Sequence, residues 1–404
     1  MRLHRNLVFA VVDGLLEIFN EGHYASKTVE KQLKRDKRWG SRDRAFIAET
    51  TYDIVRWKRL YTEIADVKEP FDRKGIWRLF AVWATLRGIR LPDWPQLEET
   101  PTRRIKGRFD ELSSIRKYRE SVPDWLDELG EKELGDKWDA ELAALNVLAP
   151  VVLRTNSLKT TPAALQNVLL EEGHETGNIK NYLDGLQLIE RANVFTTKAF
   201  KDGFFEVQDA SSQQVAPFLE VDPGMRVVDA CAGAGGKSLH LAALMENKGQ
   251  VIALDIFGNK LKELKRRARR AGAHNIETRL IDTTKVIKKL HNSADRVLID
   301  APCTGLGVLS RNPDAKWKLS PEFHQEIIQK QQELLQDYSK MLKDGGKLVY
   351  ATCSILASEN EHQIKTFLDS AEGAAFSLIR QKTLLPSKTG YDGFFMALLE
   401  KRIK

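Results

Sequence analysis

From about residue 205 onward the chain alternates short apolar runs with amphipathic stretches. Met225–Asp229, Gln250–Asp255, Ile276–Asp282, Asp295–Asp300 and Lys347–Ala351 are five to seven residues long and centred on apolar residues, the pattern of strands in a parallel sheet. Between them, Lys237–Glu246, Asn259–Ala271 and Pro321–Leu342 carry apolar residues at helical spacing. This alternation predicts an α/β fold with a doubly wound parallel sheet. Four of the strands end in an acid: Asp229, Asp255, Asp282 and Asp300. In open α/β sheets the carboxyl edge of the strands is where ligands bind.

The first 205 residues follow other periods. Leu7, Val8, Val11, Val12, Leu15, Leu16 and Phe19 form one helical face, with Asp13 and Glu17 breaking what would otherwise resemble a secretion signal. Ser41 is placed to cap a second helix through Phe46, Ile47, Ile54 and Val55. Phe71–Gly88, with Trp77, Phe80 and Trp83, reads as a buried helix whose tryptophans belong to the core. Pro92, Pro95 and Pro101, followed by Arg103, Arg104, Lys106 and Arg108, mark a linker over 91–121. From Pro123 to about Glu206 a small α+β module is predicted, with strands near 151–156 and 186–189 and a helix at Pro162–Glu172. The expected domains are therefore 1–121, 122–205 and 206–404.

Composition changes this picture little. At 404 residues, 42% hydrophobic and 29% charged, the chain has the profile of a soluble globular protein. A net charge of +7 permits a nucleic-acid partner without establishing one. No run is long enough to span a bilayer, and cytoplasm is the expected compartment. Three cysteines without Cys-x-x-Cys spacing speak against a disulfide framework and a structural zinc site, and His240, His274 and His324 lack metal-ligand spacing.

The candidate chemistry lies at the strand ends. The first strand runs into Asp229-Ala230-Cys231-Ala232-Gly233-Ala234-Gly235-Gly236-Lys237, where small residues let the backbone approach a ligand closely at a helix N-terminus. A P-loop needs glycine where Cys231 stands, and the spacing of Gly233, Gly235 and Gly236 is too tight for a dinucleotide fingerprint. What remains is an S-adenosylmethionine turn, with Asp255 placed for the ribose hydroxyls and Asp282 for the adenine edge. Cys231 is expected to pack beside that turn rather than react. The fourth strand ends in Asp300-Ala301-Pro302-Cys303 and the fifth in Ala351-Thr352-Cys353, so neighbouring strands would face two thiols into one crevice. Carbon 5 of a pyrimidine is a poor nucleophile, and methylation there usually starts with a thiolate adding to carbon 6. A carboxyl such as Asp300 suits ring nitrogen 3.

Asp229–Lys237, Asp300–Gly307 and Tyr350–Ser354 resemble the signature motifs of the RsmB/NOP/Sun family of RNA cytosine-5 methyltransferases. Phe205–Gln213, Arg311–Trp317, Glu359-Asn360 and Asp392–Phe395 resemble further family segments. The resemblance covers about 123–404 well and the N-terminal helices loosely. It implies a Rossmann-like class I methyltransferase domain, preceded by a helical NusB-like domain and a small α+β RNA-binding module. It assigns Cys353 as nucleophile and Cys303 to product release. Cys231, Ala232, Gly233, Ala234, Gly235, Gly236, Lys237, Asp255, Asp282 and Asp300 would hold S-adenosylmethionine. The implied substrate is RNA, with 16S ribosomal RNA or a small-subunit precursor favoured, and the implied state is a monomer. The same chemistry on transfer RNA or DNA, and a non-catalytic ribosome-assembly factor, are the alternatives. One departure stands out: the family usually has Ala-Ala-Pro-Gly-Gly where this chain has Ala232-Gly233-Ala234-Gly235-Gly236, so a looser turn is expected. For the RNA backbone, Arg311, Lys316 and Lys318 are candidates. The helix carrying Lys260, Lys262, Lys265, Arg266, Arg267, Arg269 and Arg270 has only Glu263 in balance and is a further one.

Overall fold

The computed structural model describes residues 2–98 and 100–403. It divides into two compact units, one formed by Met1–Val147 with Leu309–Ser320, the other by Leu148–Val308 with Pro321–Lys404.

The first unit is helical: α1 (Arg5–Asn20), α2 (Ala25–Leu33), α3 (Ser41–Arg56), α4 (Lys58–Ala65), α5 (Arg73–Leu86), α6 (Thr102–Leu112), α7 (Arg116–Arg119), α8 (Asp124–Leu134) and α9 (Trp138–Leu145). α1 buries Leu7, Val8, Val11, Val12 and Leu15 of the face that its spacing predicts, with Ile18 added and Leu16 and Phe19 only partly buried. α5 starts where the Asp72 carboxylate accepts the Gly75 N–H at 2.6 Å, and it carries Trp77, Phe80 and Trp83 into the same core. The stretch expected to be a linker contains α6, whose Ile105 and Leu112 are buried in that core. Two apolar residues seven apart make a helical face that the surrounding cations conceal.

Leu309–Ser320 packs with this unit. Trp317 Nε1 donates to Val55 O at 2.7 Å, Arg56 donates to Ser310 O at 2.8 Å, and Asp314 accepts from the Ala25 N–H at 3.0 Å. This corrects the expectation for two of the lysines. Lys316 is 2% exposed, and burial, with the Arg56 charge behind it, pushes its pKa down to about 7. Lys318 pairs with Asp314 at 2.7 Å and donates to His23 O at 2.9 Å.

The second unit holds two sheets. β1 (Val152–Thr155), β2 (Thr176–Asn178), β3 (Gly185–Leu188) and β4 (Phe205–Val207) form a small antiparallel sheet in the order β2-β3-β1-β4, with α10 (Pro162–Glu171) against it. The large sheet contains β5 (Arg226–Asp229), β6 (Gln250–Asp255), β7 (Ile276–Leu280), β8 (Ala294–Asp300), β9 (Leu342–Thr352), β10 (Phe376–Leu384) and β11 (Phe394–Lys401), in the order β10-β11-β9-β8-β5-β6-β7. β5 to β9 are parallel, and β10 and β11 add an antiparallel edge. The longer helices between its strands are α11 (Gly236–Leu244), α12 (Gly258–Ala271), α13 (Pro321–Tyr338) and α14 (Glu361–Leu368). β7 stops at Leu280, leaving Asp282 in the following bend. One large core lies on each face of this sheet. The strand order reverses between β5, which begins the sheet, and its neighbours β6 and β8, and such a switch opens a crevice at the carboxyl edge. Among the described residues no helix is long and apolar enough to cross a membrane.

Candidate active site

β8 and β9 run in register, with Asp300 opposite Ala351. Cys303 lies three residues beyond the first and Cys353 two beyond the second, so both thiols emerge at one edge. Their sulfurs are 3.3 Å apart. The hydrogen bond to Cys353, together with burial and the Cys353 and Glu359 charges, raises the Cys303 pKa well above the usual thiol range. Cys303 therefore keeps its proton and can present it to Cys353.

The loops bearing the two cysteines are tied together by Glu359 and Asn360. Glu359 accepts from Thr304 N at 2.8 Å, Thr304 Oγ1 at 2.5 Å, Ser354 Oγ at 2.5 Å and Gln331 Nε2 at 3.1 Å. Asn360 accepts from Thr352 Oγ1 at 2.5 Å and donates to Ser354 O at 3.0 Å. Glycine is required where the loops touch: Gly307 N–H donates to Cys353 O at 2.9 Å and Gly307 O accepts from Gly393 N–H at 2.7 Å. A Cβ on Gly307 would collide with Gly393 O.

Asp300, at the end of β8, pairs with the Lys237 ammonium at 2.6 Å. Burial works against the Lys237 charge, but Asp300, with Cys353 and Asp229 beyond it, outweighs burial and holds the pKa above the ordinary lysine value. The Phe394 ring lies 5.3 Å from the same nitrogen.

Beside this group the β5–α11 turn forms a cradle. Gly233, at φ +54, donates its N–H to Asp255 Oδ2 at 2.8 Å, and Phe257 N–H reaches Asp255 Oδ1 at 2.7 Å. Gly235, at φ +89, has Leu264 only 2.5 Å from where a Cβ would stand. Asp229 is fully buried. Its Oδ2 accepts from Ser238 Oγ at 2.6 Å, its Oδ1 has no partner, and burial pushes its pKa up to about 7. A buried acid with an open oxygen, next to a glycine turn and Asp255, fits a cofactor carrying a cationic amino group and a ribose. Cys231 sits in the same turn, where burial and the surrounding carboxylates raise its thiol pKa and disfavour the thiolate. Ile281 N–H donates to Asp255 O at 3.0 Å, which brings the exposed Asp282 alongside.

The structure thus gathers Cys231–Lys237, Asp255, Asp282, Asp300, Cys303 and Cys353 at one sheet edge. The basic helix α12 is better balanced than its own sequence indicates, because Arg267 and Arg270 both bind Glu206 of β4, at 2.9 and 2.5 Å. Arg154 and Arg267, which reach the turn from outside it, carry no local sequence signal. His240 is buried 3.7 Å from Asp184, and His324 lies 3.1 Å from Ser358 Oγ. Among the described residues no group of His, Cys, Asp and Glu could hold a metal ion.

A sequence model described as 16S rRNA methyltransferase RsmB/F matches residues 216–400, and one described as the RsmF/B-like ferredoxin-like domain matches 122–195. The probable ribosomal RNA small subunit methyltransferase B of Synechocystis sp. is 36% identical over 298 residues, 70% of this chain and 67% of the relative. That of Bacillus subtilis is 32% identical over 84% of this chain and 76% of the relative. The chain belongs to the RsmB/F family of methyltransferases. A Vibrio cholerae RsmB-type relative, ribosomal RNA small subunit methyltransferase B, extends the match to 98% of both chains at 27% identity. The RsmB/F fold is also that of solved structures. PH0851 superposes with a TM-score of 0.84 at 26% identity, covering 99% of this chain and all of that one. NSun6 from Pyrococcus horikoshii, solved with SFG, gives 0.65 at 21% identity, covering 71% of this chain and all of the other. As an RsmB/F protein the chain is a methyltransferase whose methyl donor is S-adenosylmethionine.

Proposed function

We propose that the protein methylates carbon 5 of a cytosine in 16S ribosomal RNA through a covalent cysteine–cytosine adduct. The observation that carries this reading is the pair of thiols 3.3 Å apart at adjacent strand ends, beside a carboxylate–ammonium pair and the cofactor cradle. S-adenosylmethionine supplies an electrophilic methyl group. Asp229, Asp255 and Asp282, with the backbone from Cys231 to Gly236, orient that group, and Lys237 holds Asp300 at the crevice.

The target cytosine leaves its stack to enter the crevice. Cys353, as thiolate, adds to carbon 6 while a proton from water reaches nitrogen 3, where Asp300 accepts the new N–H. Carbon 5, now nucleophilic, would take the methyl carbon from the donor sulfur, whose bond to it breaks to leave S-adenosylhomocysteine. Loss of the carbon-5 proton to water, with return of the nitrogen-3 proton to solvent, then restores the ring as the carbon 6–sulfur bond breaks. Cys303, protonated against Cys353, gives its proton to the departing sulfur. The small α+β module is assigned to RNA recognition, and the protein to the cytoplasm as a monomer.

The test is transfer of labelled methyl from S-adenosylmethionine to unmodified 16S RNA, 23S RNA, bulk tRNA and duplex DNA in parallel. Label recovered as 5-methylcytosine in 16S RNA alone is the expected result. Label confined to tRNA would overturn the substrate, and label in a product other than 5-methylcytosine would overturn the chemistry. Cofactor binding without label in any RNA, free or in small-subunit precursor particles, would favour an assembly factor.

A further inference from the structure

We propose that Arg154 and Arg267 are positioning residues for the cofactor turn: each grips one of the two backbone carbonyls flanking Gly235 and so fixes the turn before the cofactor arrives. Arg267 donates to Ala234 O at 2.8 Å, and Arg154 donates to Gly236 O at 2.6 Å. The inference rests on the reading of this turn as the S-adenosylmethionine site.

Both guanidinium groups are themselves held. Arg154 on β1 and Glu206 on β4 are register partners, so their side chains share one face of the small sheet. Both are nearly fully buried. Glu206 accepts from Arg267 Nη2 at 2.9 Å and from Arg270 Nη2 at 2.5 Å. Gln208 accepts from Arg154 and donates its own amide to Ser212 Oγ at 3.0 Å. Burial lowers the Arg154 pKa to about 10, with Glu206 opposing the drop, so the side chain is charged at neutral pH. Charged donors give the stronger class of hydrogen bond, and here they end on main-chain oxygens.

The turn needs such support. Gly233 and Gly235 have positive φ and Gly236 follows at once, so the free turn has wide backbone freedom. A peptide plane is rigid, and holding Gly236 O also fixes where the Lys237 N–H points. Position 234, where the family pattern has proline, is alanine, and its carbonyl is the one Arg267 holds. Proline would restrict this residue through φ; Arg267 restricts it through the oxygen. The looser turn expected from the sequence is thus tightened by a residue 33 positions away.

The test uses the full chain, with S-adenosylhomocysteine binding followed by calorimetry and KM measured for S-adenosylmethionine and for RNA. Arg267→Gln and Arg154→Gln are expected to raise the Kd at least tenfold and KM for S-adenosylmethionine in step, with KM for RNA within twofold. Ala234→Pro added to Arg267→Gln is expected to recover most of the loss. Arg270→Gln removes a Glu206 partner that touches neither turn carbonyl, and is expected to change the Kd less than twofold. If Arg267→Gln does not fold, Arg267→Lys takes its place: it keeps a charge for Glu206 but lacks the fork that reaches both acceptors, and an equal loss is expected. Wild-type affinity in the Arg154 and Arg267 variants would overturn the proposal. So would an Arg270 effect as large as that of Arg267, or failure of the proline to rescue. A wild-type chain that binds no S-adenosylhomocysteine would instead sink the cofactor assignment beneath it.

Discussion

Glu359→Ala and Glu359→Gln should part ways, because the four donors around this carboxylate are not alike. In the alanine variant the Thr304 N–H loses its acceptor outright, at about 1–3 kcal/mol for an orphaned buried group. Gln331 keeps Pro302 O at 3.0 Å, and the Thr304 and Ser354 hydroxyls are left to each other at 3.4 Å. Losing two good hydroxyl bonds costs about 0.5–1.5 kcal/mol each. The missing methylene and carboxyl add about 1 kcal/mol of lost packing. Together this is about 5 kcal/mol, or roughly 10–20 °C in Tm for a unit of this size. In the glutamine variant the amide carbonyl can take the Thr304 and Gln331 donors, while its NH2 faces two hydroxyls that rotate to accept. Only charge assistance is lost, and removal of a buried charge offsets part of that, so the cost should stay below about 1.5 kcal/mol. Both variants are followed by thermal melts of the full chain and by single-turnover methyl transfer. The alanine variant should also lose at least about 100-fold in rate, since a shift of about 1 Å between the two cysteine loops suffices for that. An alanine variant within about 1 kcal/mol of wild type, or a glutamine variant that falls as far as alanine, would refute the reasoning.

Cys353→Ala should abolish turnover and leave S-adenosylhomocysteine affinity unchanged in a calorimetric titration; loss of binding would sink the nucleophile role. Cys303→Ala should trap a covalent protein–RNA adduct that migrates slowly on denaturing gels, and a clean gel with normal turnover would remove Cys303 from the release step. Asp229 has a folded pKa of about 7 against about 3.9 in an unfolded chain, so the native state holds a proton that the unfolded state gives up. Its stabilising contribution is full below about pH 4 and is lost as pH rises through 7, on the order of 4 kcal/mol in all. Without the cofactor, Asp229→Asn should therefore flatten the fall in stability between pH 4 and 8 and melt above wild type at pH 8. An unchanged slope would show that Asp229 is ionised throughout.

The α/β alternation was legible because each strand and helix carries its own local period, and so was the thiol pair. Residues just past the ends of two strands come together when the strands are parallel neighbours in register, as β8 and β9 are. Boundaries were less so: β9 starts at Leu342 rather than Lys347, because Lys343, Asp344 and two glycines hide a strand that the ladder nevertheless continues. β2 and β4, three residues each, are too short to show any period. What was not legible is the set of partners for buried charges. Glu206 finds arginines 61 and 64 residues downstream, and Glu359 finds Thr304 55 residues upstream. Lys316, flanked by Ala315 and Trp317, looks like an exposed cation until Arg56 and Glu120 close around it. Burial of an ion is set by strand order and by what packs over it, neither of which leaves a mark within a few residues of the ion. A basic run with few nearby acids therefore says little about RNA binding, because the acids that neutralise it can arrive from another strand. In α12, Glu206 of β4 takes up two of the cations, and one of these, Arg267, also reaches the cofactor turn.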